Sequence, residues 1–138
     1  LRQNGAHEAA VALVLADLAA FDARLETAVQ ELERAWQRTG DTRLAARRAE
    51  FLLALDRPED ARSVLDEALA RSSSAASSDL LLADGDWYRL AGRGDESIAR
   101  YRAGVARSQG NKQKADALGR LGREWGSGGQ QSQHQPKE

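Results

Sequence analysis

Three segments of the chain, ETAVQELERAW (26–36), PEDARSVLDEAL (58–69) and GDESIARYRAGV (94–105), superimpose without a gap. Ala28, Ala61 and Ser97 supply a small residue early in each. Leu32, Leu65 and Tyr101 follow four positions later, and Ala35, Ala68 and Gly104 three after that. Spacings of four and three put all three residues on one face of a helix. Small residues at the first and third places let neighbouring helices approach, and the large middle residue fills the gap between them. The segments recur at close to the roughly 34-residue period of a helix–turn–helix array.

The sequence around these segments supplies their partners. Residues 7–22 carry Val11, Val14, Leu15 and Leu18 at helical spacing, and 25–38 form the helix of the first segment. TGDT (39–42) offers Gly40 as a stop and Asp41 as an N-cap, followed by a helix over 43–55. Pro58 inside one long helix would cost about 3 kcal/mol, but at the start of a new one its missing N–H is no loss. Residues 52–69 therefore read as two helices, with Asp56 as cap and Glu59 and Asp60 at the positive end of the second, 58–71. RSSSAASSD (71–79) is a loop capped by Ser78 or Asp79, leading into a helix over 79–91. GRGD (92–95) turns the chain into 95–108, and Gly110–Asn111 separate a last helix, 112–125. No segment shows the alternation of a strand. The expected division is an N-terminal flank 1–6, a helical repeat domain 7–125 and a polar tail 126–138, disordered because it has no apolar side chain to bury.

This pattern resembles the tetratricopeptide repeat over residues 9–125. The third repeat matches best, with Leu81 at the first large position, Gly85 at the small one, Tyr88 at the aromatic and Gly92 at the turn. The second has Ala45, Ala49, Leu52 and Asp56 there, and the first Ala12, Ala16 and Ala19. Leu118–Gly119 begin a fourth copy with no second helix, as a capping helix would. The family's proline at the end of the second helix is absent throughout. The resemblance implies an all-α solenoid of antiparallel helix pairs, about three repeats plus a C-terminal cap. Another α-solenoid or a plain helical bundle would share the same helices.

Composition narrows the function classes. Lys+Arg 20 against Asp+Glu 21 leaves a formal charge of −1, so no global field draws the chain to nucleic acid or an anionic membrane. RLAARR (43–48) is a small basic cluster without the stacking aromatics of a nucleic-acid surface. No run reaches the roughly 18 apolar residues of a membrane span, because Asp17 interrupts the most apolar one, 9–21. That run also lacks the basic flank and cleavage pattern of a signal peptide. The start at Leu1 without a methionine reads as a processed or excised segment. Zero cysteines exclude disulfides and thiolate metal sites but leave the compartment open.

No catalytic, metal or cofactor constellation emerges. His7 and His134 have no companions for a zinc or nucleophile site. In DGD (84–86) residues two apart on a helix diverge, so Gly85 reads as a packing residue rather than part of a metal loop. RGD (93–95) has a structural cause in the turn, with Gly94 free to take positive φ and Asp95 to cap.

The resemblance implies instead a concave surface that binds a peptide or helix of a partner protein. The family's groove positions fall on Leu13 and Asp17 in the first repeat and on Arg43, Ala46, Arg47, Glu50 and Leu53 in the second. The third gives Asp79, Leu82, Asp86 and Arg89, and the cap Asp116, Arg120 and Arg123. Members that clamp the C-terminal carboxylate of chaperone tails carry lysine and asparagine where this chain has Ala46, Glu50, Leu82 and Asp86, which argues against that role. The expected function is a non-enzymatic scaffold binding a protein or peptide, with no nucleic acid partner and no membrane insertion. Its alanine- and arginine-rich style is similar to bacterial repeats of secretion, envelope assembly or exopolysaccharide export, in periplasm or cytoplasm. The alternative is a self-associating, homo-oligomeric structural module.

Overall fold

The structure, a computed structural model, describes residues 2–72, 76–108 and 116–123. The described residues form helices and turns, with no strand. The helices are α1 (Arg2–Phe21), α2 (Leu25–Thr39), α3 (Thr42–Ala54), α4 (Pro58–Ser72), α5 (Ser78–Leu90), α6 (Gly94–Arg107) and α7 (116–123). They pack as hairpins α1–α2, α3–α4 and α5–α6, and the hairpins stack through α1–α3, α2–α3, α3–α5 and α4–α5. The first helix of each hairpin therefore lies in a continuous inner wall. The chain is an all-α solenoid.

The repeated face is the core. Ala28, Ala61, Ser97, Leu32, Leu65, Tyr101 and Ala68 are fully buried, and Ala35 nearly so. The facing positions Ala16, Ala45, Ala49 and Leu52 are buried too, and Gly85 sits against Tyr101. A β-carbon on Gly85 would lie 2.5 Å from the Tyr101 ring, so glycine is what lets α5 and α6 close. So many alanines in the contact surface bring the backbones near one another and leave a thin, tightly packed interior.

The turns inside the hairpins share one construction. Ala23, Asp56 and Gly92 all adopt left-handed backbone, with φ of 63°, 60° and 78°. The next residue is an arginine each time. The Arg24, Arg57 and Arg93 amides donate back to the carbonyls of Ala19, Leu52 and Tyr88 at 2.8, 2.9 and 2.8 Å. These bonds satisfy carbonyls left open at the end of each first helix.

Several helix ends differ from the sequence reading. α1 starts at Arg2, within the expected flank, because that stretch has no proline and Gly5 costs a helix only about 1 kcal/mol. Asp56 does not cap α4; it takes the left-handed turn position, which Asp tolerates better than most residues. Ser77, not Ser78 or Asp79, caps α5, accepting from the Leu80 amide at 3.2 Å. The positive φ expected at Gly94 belongs to Gly92, and Asp95 lies in the first turn of α6 rather than at its cap. Asp41 caps α3 as the sequence predicts, and Gly40 ends α2 at φ 69°. The middle of the serine-rich loop, the start of the last helix and the polar tail with His134 lie outside the described residues.

Candidate partner-binding groove

A row of alternating charges crosses the inner wall. Asp17 of α1 pairs with Arg47 of α3. One turn along α3, Glu50 lies 3.3 Å from the Arg47 guanidinium. Arg120 of α7 reaches Glu50 at 3.5 Å and Asp86 of α5 at 3.0 Å. Asp86 then accepts from the Tyr101 hydroxyl, which also accepts from Arg89 Nε at 3.2 Å. Six of the residues that the sequence reading placed in the groove, Asp17, Arg47, Glu50, Asp86, Arg89 and Arg120, are thus joined, with Tyr101 of α6, in one network across five helices.

The other candidates stand apart from this row. Arg43 turns to the cap Asp41, with Nη2 at 2.7 Å from its carboxylate. Asp79 sits at the start of α5, where its field acts on Arg43, Arg47 and Glu50. Leu13 and Leu53 are half-buried against the core. Ala46 and Leu82 are buried, so they pack helices together rather than face a partner. Asp116 and Arg123 are exposed on α7.

Burial shapes the chemistry of the row. It is the largest influence on Glu50 and pushes its carboxyl above the usual range. Arg120 and Arg47 pull it back, and Asp86 and Asp79 push it further up. Burial, with the hydrogen bond to Asp86, likewise raises the Tyr101 phenol. Among the described residues no three His, Asp or Glu side chains gather as a metal site. The arrangement offers paired charges and hydrogen-bonding groups along a wall, suited to recognition of another polypeptide.

Among solved structures, the chain is similar to the second TPR domain of the human RPAP3 protein, determined by NMR in complex with the HSP70 peptide SGPTIEEVD. The TM-score is 0.62 at 20% identity, over 87% of this chain and 97% of that one. This is a tetratricopeptide-repeat fold. No family model matches the chain, and no curated protein does. The fold is built here with Ala12, Ala16 and Ala19 in the first repeat and Ala45 and Ala49 in the second.

Two parts of this tetratricopeptide array escape a reading by sequence. Asp84, in the DGD run, is fully buried and holds Arg62 of α4 at 2.6 Å and Arg100 of α6 at 2.7 Å. Arg62 also lies over Trp87 and Tyr88, at 4.7 and 5.2 Å from the ring centroids. Asp84 and Asp86 do diverge, as helical geometry requires, but each becomes the centre of its own network. Tyr101 is the other. Its ring is the large core residue of the third repeat, and its hydroxyl reaches the groove. A phenol where the other repeats carry leucine is the signal that marks it.

Proposed function

We propose that the chain is a non-enzymatic binding module that holds a peptide or helix of a partner protein along the wall formed by α1, α3, α5 and α7. The observation that carries this reading is the charged row from Asp17 to Arg89. A continuous polar track on an otherwise helix-packing surface suits an extended or helical segment bearing charges of both signs. The peptide held by the similar RPAP3 domain supports the same use of the fold. An acidic tail like that peptide would meet Glu50 and Asp86, so a partner of mixed or basic charge is the better fit. A protein partner accords with the formal charge of −1 and with helices that, among the described residues, are too short or too polar to cross a membrane. The ground for placing it in a bacterial secretion, envelope-assembly or exopolysaccharide-export system is the resemblance of its alanine- and arginine-rich style to such repeats. The test is capture of partners by the wild-type chain and by an Arg47→Glu/Arg89→Glu variant whose helicity is checked by circular dichroism. Proteins lost from the variant support the groove. Equal recovery by both sinks it.

One observation favours the second reading, self-association. Val11, Val14, Leu18 and Phe21 of α1 are 43, 59, 57 and 89% exposed and recur every three and four residues, the seam of a two-helix contact. An antiparallel copy centred between Val14 and Leu15 would set Val11 against Leu18 and the exposed His7 against Asp22. Light scattering over a concentration series should show a dimer that Leu18→Glu dissolves. A constant monomer mass rules this contact out.

A further inference from the structure

We infer that Arg120 is a resident stand-in for a basic side chain of the partner, so that the chain occupies the centre of its own groove until an arginine or lysine of the partner displaces it. The inference rests on the groove reading and specifies its regulation. Glu50 and Asp86 belong to different repeats, yet one guanidinium spans them, at 3.5 and 3.0 Å. That guanidinium comes from α7, beyond the last complete hairpin. Two carboxylates held this close on a partly buried wall repel each other unless a cation lies between them.

Among its described residues, α7 is seated on α5 and α6 by a small apolar cluster. Ala117 is fully buried and Leu121 partly so, against Leu82, Tyr101 and Val105. Leu118 of the same helix is half exposed. Arg120 adds an ionic hold on α5 and α3. A partner that presents its own guanidinium or ammonium to Glu50 and Asp86 replaces that bond in kind and releases the helix. A helix serving only to cover the end of the array needs no cation directed at carboxylates of two neighbouring hairpins.

The experiment titrates the full chain with N-acetyl-arginine amide, which offers one guanidinium and little else, and follows backbone amide resonances. N-acetyl-citrulline amide is the neutral control. Arg120→Ala, with Arg120→Gln as a second variant of similar reach, should show saturable shifts at Glu50, Asp86 and Tyr101. The wild type should respond about tenfold more weakly, because its site is already occupied. Adding Glu50→Gln and Asp86→Asn to Arg120→Ala should abolish the response, and citrulline should produce none. Variants that keep well-dispersed spectra but do not respond, or a wild type that responds equally, overturn the inference. A failed titration beside capture that still depends on Arg47 and Arg89 sinks the stand-in alone. Capture indifferent to Arg47 and Arg89 sinks the groove.

Discussion

Asp84 and Arg62 meet at 2.6 Å across the boundary between the second and third hairpins, with the carboxylate wholly buried. Arg100 closes on the other oxygen at 2.7 Å. Removing one member of a buried ionic cluster leaves the others charged and unpaired, at a cost of about 3–5 kcal/mol. Asp84→Ala should therefore lower stability by about that amount in urea unfolding. Asp66→Ala, whose exposed carboxylate also touches Arg62, should change it by about 0–1 kcal/mol. Similar losses for the two would remove Asp84 from its central place.

Gly85 and Gly5 make a matched comparison. Both lie within helices, but a β-carbon at Gly5 meets nothing within 4 Å, while at Gly85 it enters the Tyr101 ring. Gly85→Ala should cost about 1–3 kcal/mol through overpacking. Gly5→Ala should stabilise the chain by about 0.5–1 kcal/mol through helix preference. Thermal unfolding of the two variants tests the sign of each, and a stabilising Gly85→Ala would show that the α5–α6 contact is looser than described.

Ala23 holds φ 63°, where a β-carbon is strained. Ala23→Gly should relieve that strain and raise stability by about 0.5–1 kcal/mol net of the greater freedom of glycine in the unfolded chain. Asp56→Gly should gain less, since Asp accepts this conformation more readily. A lower urea midpoint for Ala23→Gly contradicts the turn geometry.

Glu50 makes stability depend on pH. Burial raises its folded pKa above the ordinary 4.5, so the folded chain binds this proton more tightly than the unfolded one. Its contribution is full below the unfolded value and is lost as pH rises through the folded value. Glu50→Gln should flatten the melting-temperature profile from pH 4.5 upward toward neutrality. Parallel profiles for wild type and variant would remove this assignment.

Much of the fold is legible because it rests on side-chain size at fixed spacing. Ala28, Leu32 and Ala35 announce the packing face of their helix, and the same face returns at Ala61 and Ser97. Helix ends are less legible, because one residue decides them and several types compete. At the left-handed turns inside the three hairpins the occupants are Ala, Asp and Gly, which share no composition signal, although the arginine that follows each does recur. The ionic row was legible where charge recurs on the first helix of each pair, as at Asp17, Arg47 and Asp86. The burial of Ala46 and Leu82 was not, because it follows from the close approach of the helices. Asp84 could not be read either, since an acidic residue on a helix usually faces water and its two arginines come from other hairpin members.

The Asp84 cluster has a consequence for how the array comes apart. A stack of repeats whose neighbours adhere weakly frays from its ends, unit by unit. Here a single carboxylate rivets α4 to α6 through α5, so the second and third hairpins should melt as one block. The first hairpin, joined to the second by packing and by exposed pairs such as Asp17–Arg47 and Glu26–Arg57, is then the part left to peel away alone.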